Sequence, residues 1–226
     1  HHGFDHMEVA LSVGIQQMVR SDIAGAGVMF TLDTDSGFPD VILVDSAWGL
    51  GESVVSGQVS PDEHLVYKRT LQMEGMDPVL NNALGPKKTK IIYNEGGDNP
   101  TVTVDTSDEE RNSFVLCHDE VVALARWAII IEDHYGCPMD IEWAKDGNTG
   151  ELYVVQARPE TVQSNADQGV LQSYTLTGTG NALVTGLAVG EAVATGEVCK
   201  LTDASEISQF RDGAVLVTSI TDPDWE

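Results

Sequence analysis

Basic residues are scarce in this sequence. Twelve lysines and arginines stand against 36 aspartates and glutamates, a formal net charge of −24 over 226 residues. That deficit excludes the classes that rely on a cationic surface. A nucleic-acid binder needs a basic stripe, and the densest basic run is only Lys87-Lys88-Thr89-Lys90. Docking on an anionic membrane is disfavoured for the same reason. No run of about 18 uncharged apolar residues occurs, so no transmembrane helix is expected. Cysteine is nearly absent as well. Cys117, Cys137 and Cys199 are odd in number, far apart and without a CxxC pair, so no disulfide framework is expected. A reducing, cytoplasmic setting follows as the expectation, with each cysteine a small buried hydrophobe. No charged-then-apolar leader segment follows His1. What the chain does have is apolar content, 42% of residues, which is a globular value and argues against disorder. The acidity then reads as a solvated surface, of a kind suited to a saline medium.

Residues 5–20 read as a helix with Asp5 at its N-cap, because Val9, Leu11, Val13, Ile15, Met18 and Val19 form a broad apolar arc. Ala24–Thr31 reads as a strand entered through glycines. Val41–Val44 is a continuously apolar strand of the doubly buried kind, running into the turn Ser46–Glu52. His64–Tyr67 and Lys90–Tyr93 read as short strands, and residues 94–106 as a loop containing a strand at Thr101–Val104. The spacing predicts one long helix over 108–135, opened by the capping box Ser107-Asp-Glu-Glu110 and closed by Gly136 and Pro138. Met139–Trp143 and Leu152–Arg158 then form a β-hairpin around Asp146–Gly150. A polar stretch at 162–173 reads as a linker. Beyond it, glycines punctuate a second, β-rich unit with strands at Val193–Leu201 and Ala214–Thr218 and a helical turn at Glu206–Phe210.

The hairpin carries the chemistry. Strand side chains alternate, so Asp140 and Glu142 share one face while Ile141 and Trp143 share the other. Gln156 and Arg158 also share a face, and a turn centred near residue 148 sets Gln156 across from Asp140. Glu142 and Gln156 offer oxygens to a hard cation such as Mg2+, and Arg158 can hold a phosphoryl oxygen. The same residues also make an ordinary half-exposed hairpin with a solvated ion pair to Arg158, and spacing leaves both readings open. The Trp48-Gly-Leu-Gly-Glu52 turn is similar in kind. Its glycines permit close approach of the backbone to a ligand, yet it is neither GxGxxG nor a Walker A loop.

A resemblance then accumulates along the chain. Met18-Val-Arg-Ser-Asp22, Gly27-Val-Met-Phe-Thr31, Trp48-Gly-Leu-Gly-Glu52, Pro138-Met-Asp-Ile-Glu-Trp143 and Val155-Gln-Ala-Arg-Pro-Glu-Thr161 follow one another in order. Together they resemble the phosphoenolpyruvate synthase (pyruvate, water dikinase) family over nearly the whole chain. The Gln-Ala-Arg-Pro-Glu-Thr run after an Asp-x-Glu-Trp strand is the most specific. Gly186–Gly190, Gly196–Val198 and Val215–Trp225 resemble the opening of that family's swivelling phosphohistidine domain.

The resemblance implies an α+β architecture. The C-terminal part of an ATP-grasp domain would span residues 1–163, a linker 164–174, and an incomplete phosphohistidine domain 175–226. It implies a phosphotransferase parent that converts ATP, pyruvate and water to AMP, phosphoenolpyruvate and phosphate through a phosphohistidine. It implies Mg2+ with ATP as the cofactor. It makes Glu142 and Gln156 nucleotide and metal ligands, Asp140 and Arg158 phosphate-site residues, and Glu52 part of the nucleotide cleft. ATP and, through other domains, pyruvate or phosphoenolpyruvate are the implied partners, with no nucleic acid and no membrane. An oligomeric parent is compatible with it. None of the six histidines (1, 2, 6, 64, 118 and 134) lies in a Thr-x-His-Gly-Gly motif. The chain alone is therefore expected to lack synthase activity, as a fragment of a longer protein. Two alternatives stay open: a fragment of pyruvate phosphate dikinase or another dikinase of this arrangement, and a non-catalytic nucleotide-binding module.

Overall fold

A computed structural model describes residues 13–160 apart from 95 and 98, residue 178, and residues 193–218. Among them, a six-stranded antiparallel sheet is the main element. Its strands are β1 (Gly25–Phe30), β2 (Val41–Trp48), β3 (Asp62–Tyr67), β4 (Val79–Ala83), β7 (Met139–Lys145) and β8 (Leu152–Pro159). Their order is β4-β3-β2-β1-β7-β8. A separate hairpin pairs β5 (Thr89–Tyr93) with β6 (Thr101–Asp105). The helices are α1 (Glu52–Val55), α2 (Asp108–Arg111) and α3 (His118–Tyr135). The fold is thus mixed α and β with a large antiparallel sheet. No described helix is long and apolar enough to cross a membrane.

One face of the sheet is sealed by α3. Val121, Leu124, Ala125 and Ala128 recur at the spacing of a single helical face. They are buried against Met29, Ile42, Val44, Val66, Ile141 and Trp143. Removing an aliphatic side chain of this kind from water stabilises by about 1.5–3 kcal/mol. Gly27 permits the closest part of that packing. A Cβ there would overlap the Asp45 carbonyl on β2 and come within 2.9 Å of the Trp143 ring. The helix starts where the Glu120 carboxylate accepts the Cys117 amide at 2.9 Å, and stops at Gly136, which is left-handed at φ 70°.

The capping box at Ser107 and Glu110 is present, but it opens only the single turn α2. The expected helix over 108–135 is broken between Asn112 and Cys117. The cause is a buried polar knot. Asp62 and Lys87 have fully buried side chains and are ion-paired. Lys87 Nζ also donates to the Gly85 carbonyl at 2.9 Å, while Asp62 accepts the amides of Gly85 (2.9 Å) and Val115 (3.0 Å). Holding the Val115 amide outside a helix lets Val115 and Leu116 bury beneath the connection. Lys87 is the one non-glycine among the described residues with positive φ, 36°.

Other expectations are corrected as well. Residues 1–12 of the expected helix 5–20 lie outside the described residues, and residues 13–20 form no helix. Val13 and Ile15 are 86% and 98% exposed, so the apolar arc has no face to pack on. Helix formation in proteins depends on such packing, and Gly14 and the β-branched residues lower the propensity further. Strand β4 was not anticipated because Val-Leu-Asn-Asn-Ala has weak strand character. Pairing with β3 and the Nδ1–Oδ1 contact of His64 with Asn82 (2.6 Å) fix it. Cys117 is exposed and Cys137 and Cys199 are half-buried, so none is the fully buried hydrophobe expected. The stretch 162–173 lies outside the described residues. Of the second unit, β9 (Val198–Lys200) and β10 (Val215–Val217) are described as a parallel pair, with a 3-10 turn at Ala204–Gln209 between them.

The knot sets a clear expectation. Lys87→Ala leaves the buried Asp62 carboxyl without its cation, and removing one partner of a buried pair costs about 3–5 kcal/mol. Urea unfolding of the variant checks this, and a loss under about 1 kcal/mol would show the pair to be dispensable.

Candidate functional site

The face of the sheet opposite α3 is where the polar residues collect. Strands β7 and β8 are joined by a tight turn in which Asp146 N–H donates to the Glu151 carbonyl (2.9 Å) and Gly150 N–H to the Asp146 carbonyl (2.7 Å). Near the turn the register is Trp143↔Val154, but beyond it Glu142 faces Gln156 and Asp140 faces Arg158. Val155 is the extra residue, a bulge of one in β8. The expected pairing of Gln156 with Asp140 is therefore corrected: the register at the turn alone would set Gln156 opposite Ile141, and the bulge moves it one further place, to stand opposite Glu142.

Arg158 meets Asp140 through Nε (2.9 Å) and Nη2 (2.8 Å), both on Oδ2. Its side chain stays 62% exposed while that of Asp140 is 13% exposed, so the guanidinium keeps donors free to face solvent or a ligand. The ion pair read as the ordinary alternative thus exists, beside rather than instead of the oxygen pair Glu142–Gln156.

Registers across the sheet extend that pair into a row. Asp45 faces Glu63 and Val28 faces Glu142, and the flanking β1–β2 pairs Ala26↔Ala47 and Met29↔Val44 bring Val28 level with Asp45. Glu63, Asp45, Val28, Glu142 and Gln156 consequently cross five strands in one line. Asp45 is the unusual member. Its Oδ1 is buried with no hydrogen-bond partner, and burial, helped by the Glu63 charge beside it, pushes its carboxyl up to about 7.

A cavity of about 410 Å3 opens on this face. Leu50, Gly51, Glu52 and Val55 form one side, at the start of α1. Glu142, Ala144 and Val155 form the floor, and Gln16, Gln17, Met18 and Val19 form the other wall. The structure therefore brings Glu52 and Glu142 into one pocket. Asp140, Gln156 and Arg158 lie along the same strands without lining it. The wall at 16–19 was missed, because its apolar spacing reads as a helix. The break signalled by Gly14 was the available clue. Apolar walls ending in carboxylate and amide oxygens suit a ligand with a flat apolar part and a cation-bearing polar end. Among the described residues no group of three or more His, Cys, Asp or Glu side chains could hold a metal ion.

Comparison with known proteins gives the class. The pyruvate phosphate dikinase AMP/ATP-binding domain family matches residues 1–176, and the chain belongs to that family. Its relatives narrow this further. It is 51% identical over 232 residues to the phosphoenolpyruvate synthase of Synechocystis sp. (strain ATCC 27184 / PCC 6803 / Kazusa), covering 100% of this chain and 28% of that protein. It is 52% identical over 230 residues to the Pseudomonas aeruginosa (strain UCBPP-PA14) phosphoenolpyruvate synthase, with 100% and 29% covered. Identity to the Escherichia coli (strain K12) phosphoenolpyruvate synthase is 48% over 229 residues, with 100% and 28% covered. The chain thus spans less than a third of the length of these relatives.

Asp45 generates a pH expectation. Its folded pKa lies above the ordinary 3.8, so between about pH 4 and 7 the folded state holds a proton that the unfolded state has lost. Stability falls as pH rises through that window, at about 1.4 kcal/mol per pK unit for this one group. Asp45→Asn removes the group. Relative to the parent, the variant should gain stability from pH 5 to pH 8, measured by urea unfolding at both. An unchanged difference would show that Asp45 titrates normally.

Proposed function

We propose that this chain supplies part of the Mg2+–ATP site of a phosphoenolpyruvate synthase. In that reaction ATP, pyruvate and water give AMP, phosphoenolpyruvate and phosphate. The β-phosphoryl group passes first to a histidine and then to pyruvate, and the γ-phosphate is released to water. The family match and the relatives support the ATP and dikinase parts. The observation that carries the site assignment is the hairpin register, which stands Glu142 opposite Gln156 and Asp140 opposite Arg158 on the open face of the sheet.

The residues fit the ion. Glu142 offers carboxylate oxygens and Gln156 an amide oxygen, the donors that Mg2+ takes. Mg2+ typically keeps waters and phosphate oxygens beside one or two protein ligands, so a set with two protein donors is adequate. Glu142 and Gln156 would hold the ion, which would supply positive charge to offset that of the phosphates. Arg158, oriented by Asp140, is placed to hold phosphoryl oxygen as negative charge shifts during transfer. Glu52, with Leu50 and Val55 beside it, is placed at the nucleoside end of the pocket. The domain division is residues 1–163 for the nucleotide-binding part, 164–174 for a linker and 175–226 for the opening of the phosphohistidine domain. The acceptor histidine belongs to a part of the parent protein outside this sequence, which is why the chain alone is expected to be inactive.

Isothermal titration with Mg2+–ATP tests the assignment. Saturable binding is expected, weakened about tenfold or more by Glu142→Ala and to a smaller degree by Gln156→Ala, the loss that one removed charged contact gives. Removal of Mg2+ with EDTA should weaken binding similarly. Binding that is indifferent to both substitutions and to EDTA would overturn the reading.

A further inference from the structure

The wall Gln16–Val19 has no helix or strand of its own, yet it lines the same pocket as Glu52 and Glu142. Its far end is held at Arg20. The Arg20 amide donates to Asp146 Oδ2 at 3.2 Å, and the Gly147 amide donates to the Arg20 carbonyl at 3.0 Å. The Arg20 guanidinium binds Asp22 through two hydrogen bonds of 2.8 and 2.9 Å and lies 5.7 Å from the centre of the Tyr93 ring. Asp146 and Gly147 open the turn between β7 and β8, the strands that carry Glu142 and Gln156.

Two details separate this contact from ordinary turn chemistry. Asp146 divides its carboxylate: Oδ1 accepts the turn amides of Asn148 (2.8 Å) and Thr149 (3.2 Å), and Oδ2 serves Arg20. The turn by itself needs only the first oxygen. Gly147, unlike Gly150, does not have positive φ, so the turn does not require glycine there. The approach of Ile23 does. A Cβ at 147 would sit 2.5 Å from Ile23 Cγ1 and 2.8 Å from the Ile23 carbonyl oxygen. Neither feature is needed for the reversal of the chain: Oδ2 serves Arg20 at the end of the strap, and Gly147 admits Ile23 just beyond it.

We propose that Asp146 and Gly147 are positioning residues that clamp the Gln16–Ser21 strap to the β7–β8 hairpin and so set the width of the pocket between the strap and Glu142. The consequence for ligand affinity rests on the nucleotide reading above; the clamp itself does not. The Val19 carbonyl accepts the Ser21 amide at 2.9 Å beside the Arg20 contacts, and holding the wall in place before the ligand arrives avoids the ordering cost at binding.

Two substitutions test it by different means. Asp146→Asn keeps one oxygen for the turn amides but turns an NH2 toward the Arg20 amide. Gly147→Ala pushes Ile23 away and leaves the carboxylate intact. In both variants of the 226-residue chain, NMR-detected exchange of the Arg20 amide should be about tenfold faster or more, with Asn148 and Thr149 amides unchanged in Asp146→Asn. Mg2+–ATP should bind roughly fivefold more weakly in both while the melting temperature moves little, a split that a merely structural role does not produce. Unchanged Arg20 exchange in both variants overturns the clamp. Faster exchange with unaltered Mg2+–ATP affinity overturns its role in positioning. If the parent chain binds no Mg2+–ATP, the nucleotide reading fails, and the exchange rates alone decide whether the strap is clamped.

Discussion

Glu142 and Trp143 are neighbours in sequence that must lie on opposite faces of β7, and the rest of the structure depends on holding that alternation in register. Trp143 and Ile141 enter a dry layer under α3. Glu142 and Asp140 are thereby forced onto the open face. Slippage by one residue would bury two carboxylates and expose the indole, a change that no local rearrangement could offset. The sealed face supplies the rigidity, and the open face inherits its positions from it. A site built on such strands holds its donors more firmly than one built on loops.

The polar knot of Asp62 and Lys87 serves the same end. A buried ion pair contributes little net stability, because desolvation offsets much of the attraction. What this pair contributes is connection. Through the Gly85 and Val115 amides it joins β3 to the loop before β5 and to the link between α2 and α3. It thereby fixes where α3 begins, and α3 seals the core. Asp45 shows the opposite treatment of a carboxyl group. It is given no cation and no donor for Oδ1, and accommodates its burial by keeping a proton up to about pH 7.

The hairpin, the C-terminal stop of α3 at Gly136 and the capping box at Ser107 were legible from residue types and short spacings. The breaks were not. The register at the turn and the Val155 bulge together set Gln156 opposite Glu142 rather than Asp140, and nothing in the local residue types specifies the bulge. The interruption at Asn112–Cys117 answers to Asp62, 53 residues from Val115 along the chain. The segment 13–20 has the spacing of an amphipathic helix but no face to pack on, and its end at Arg20 is tied to Asp146 and Gly147, more than a hundred residues away. At the Asn112–Cys117 break a long-range hydrogen bond overrode a local preference worth less than about 1 kcal/mol per residue.

The amino-acid sequence by itself determined which residues could do the chemistry. Alternation places Asp140 with Glu142 and Gln156 with Arg158, and a carboxylate, an amide oxygen and a guanidinium suit a cation-bearing phosphate wherever they meet. Tertiary structure alone decided how they meet. It set Glu142 against Gln156, brought Glu52 from a distant turn into the pocket of Glu142, and made residues 16–19 the facing wall. The physical reason is that periodicity acts over a few residues, whereas register, bulges and straps are set by hydrogen bonds between strands and loops far apart in the chain. Those contacts exist only once the sheet has assembled around its buried face.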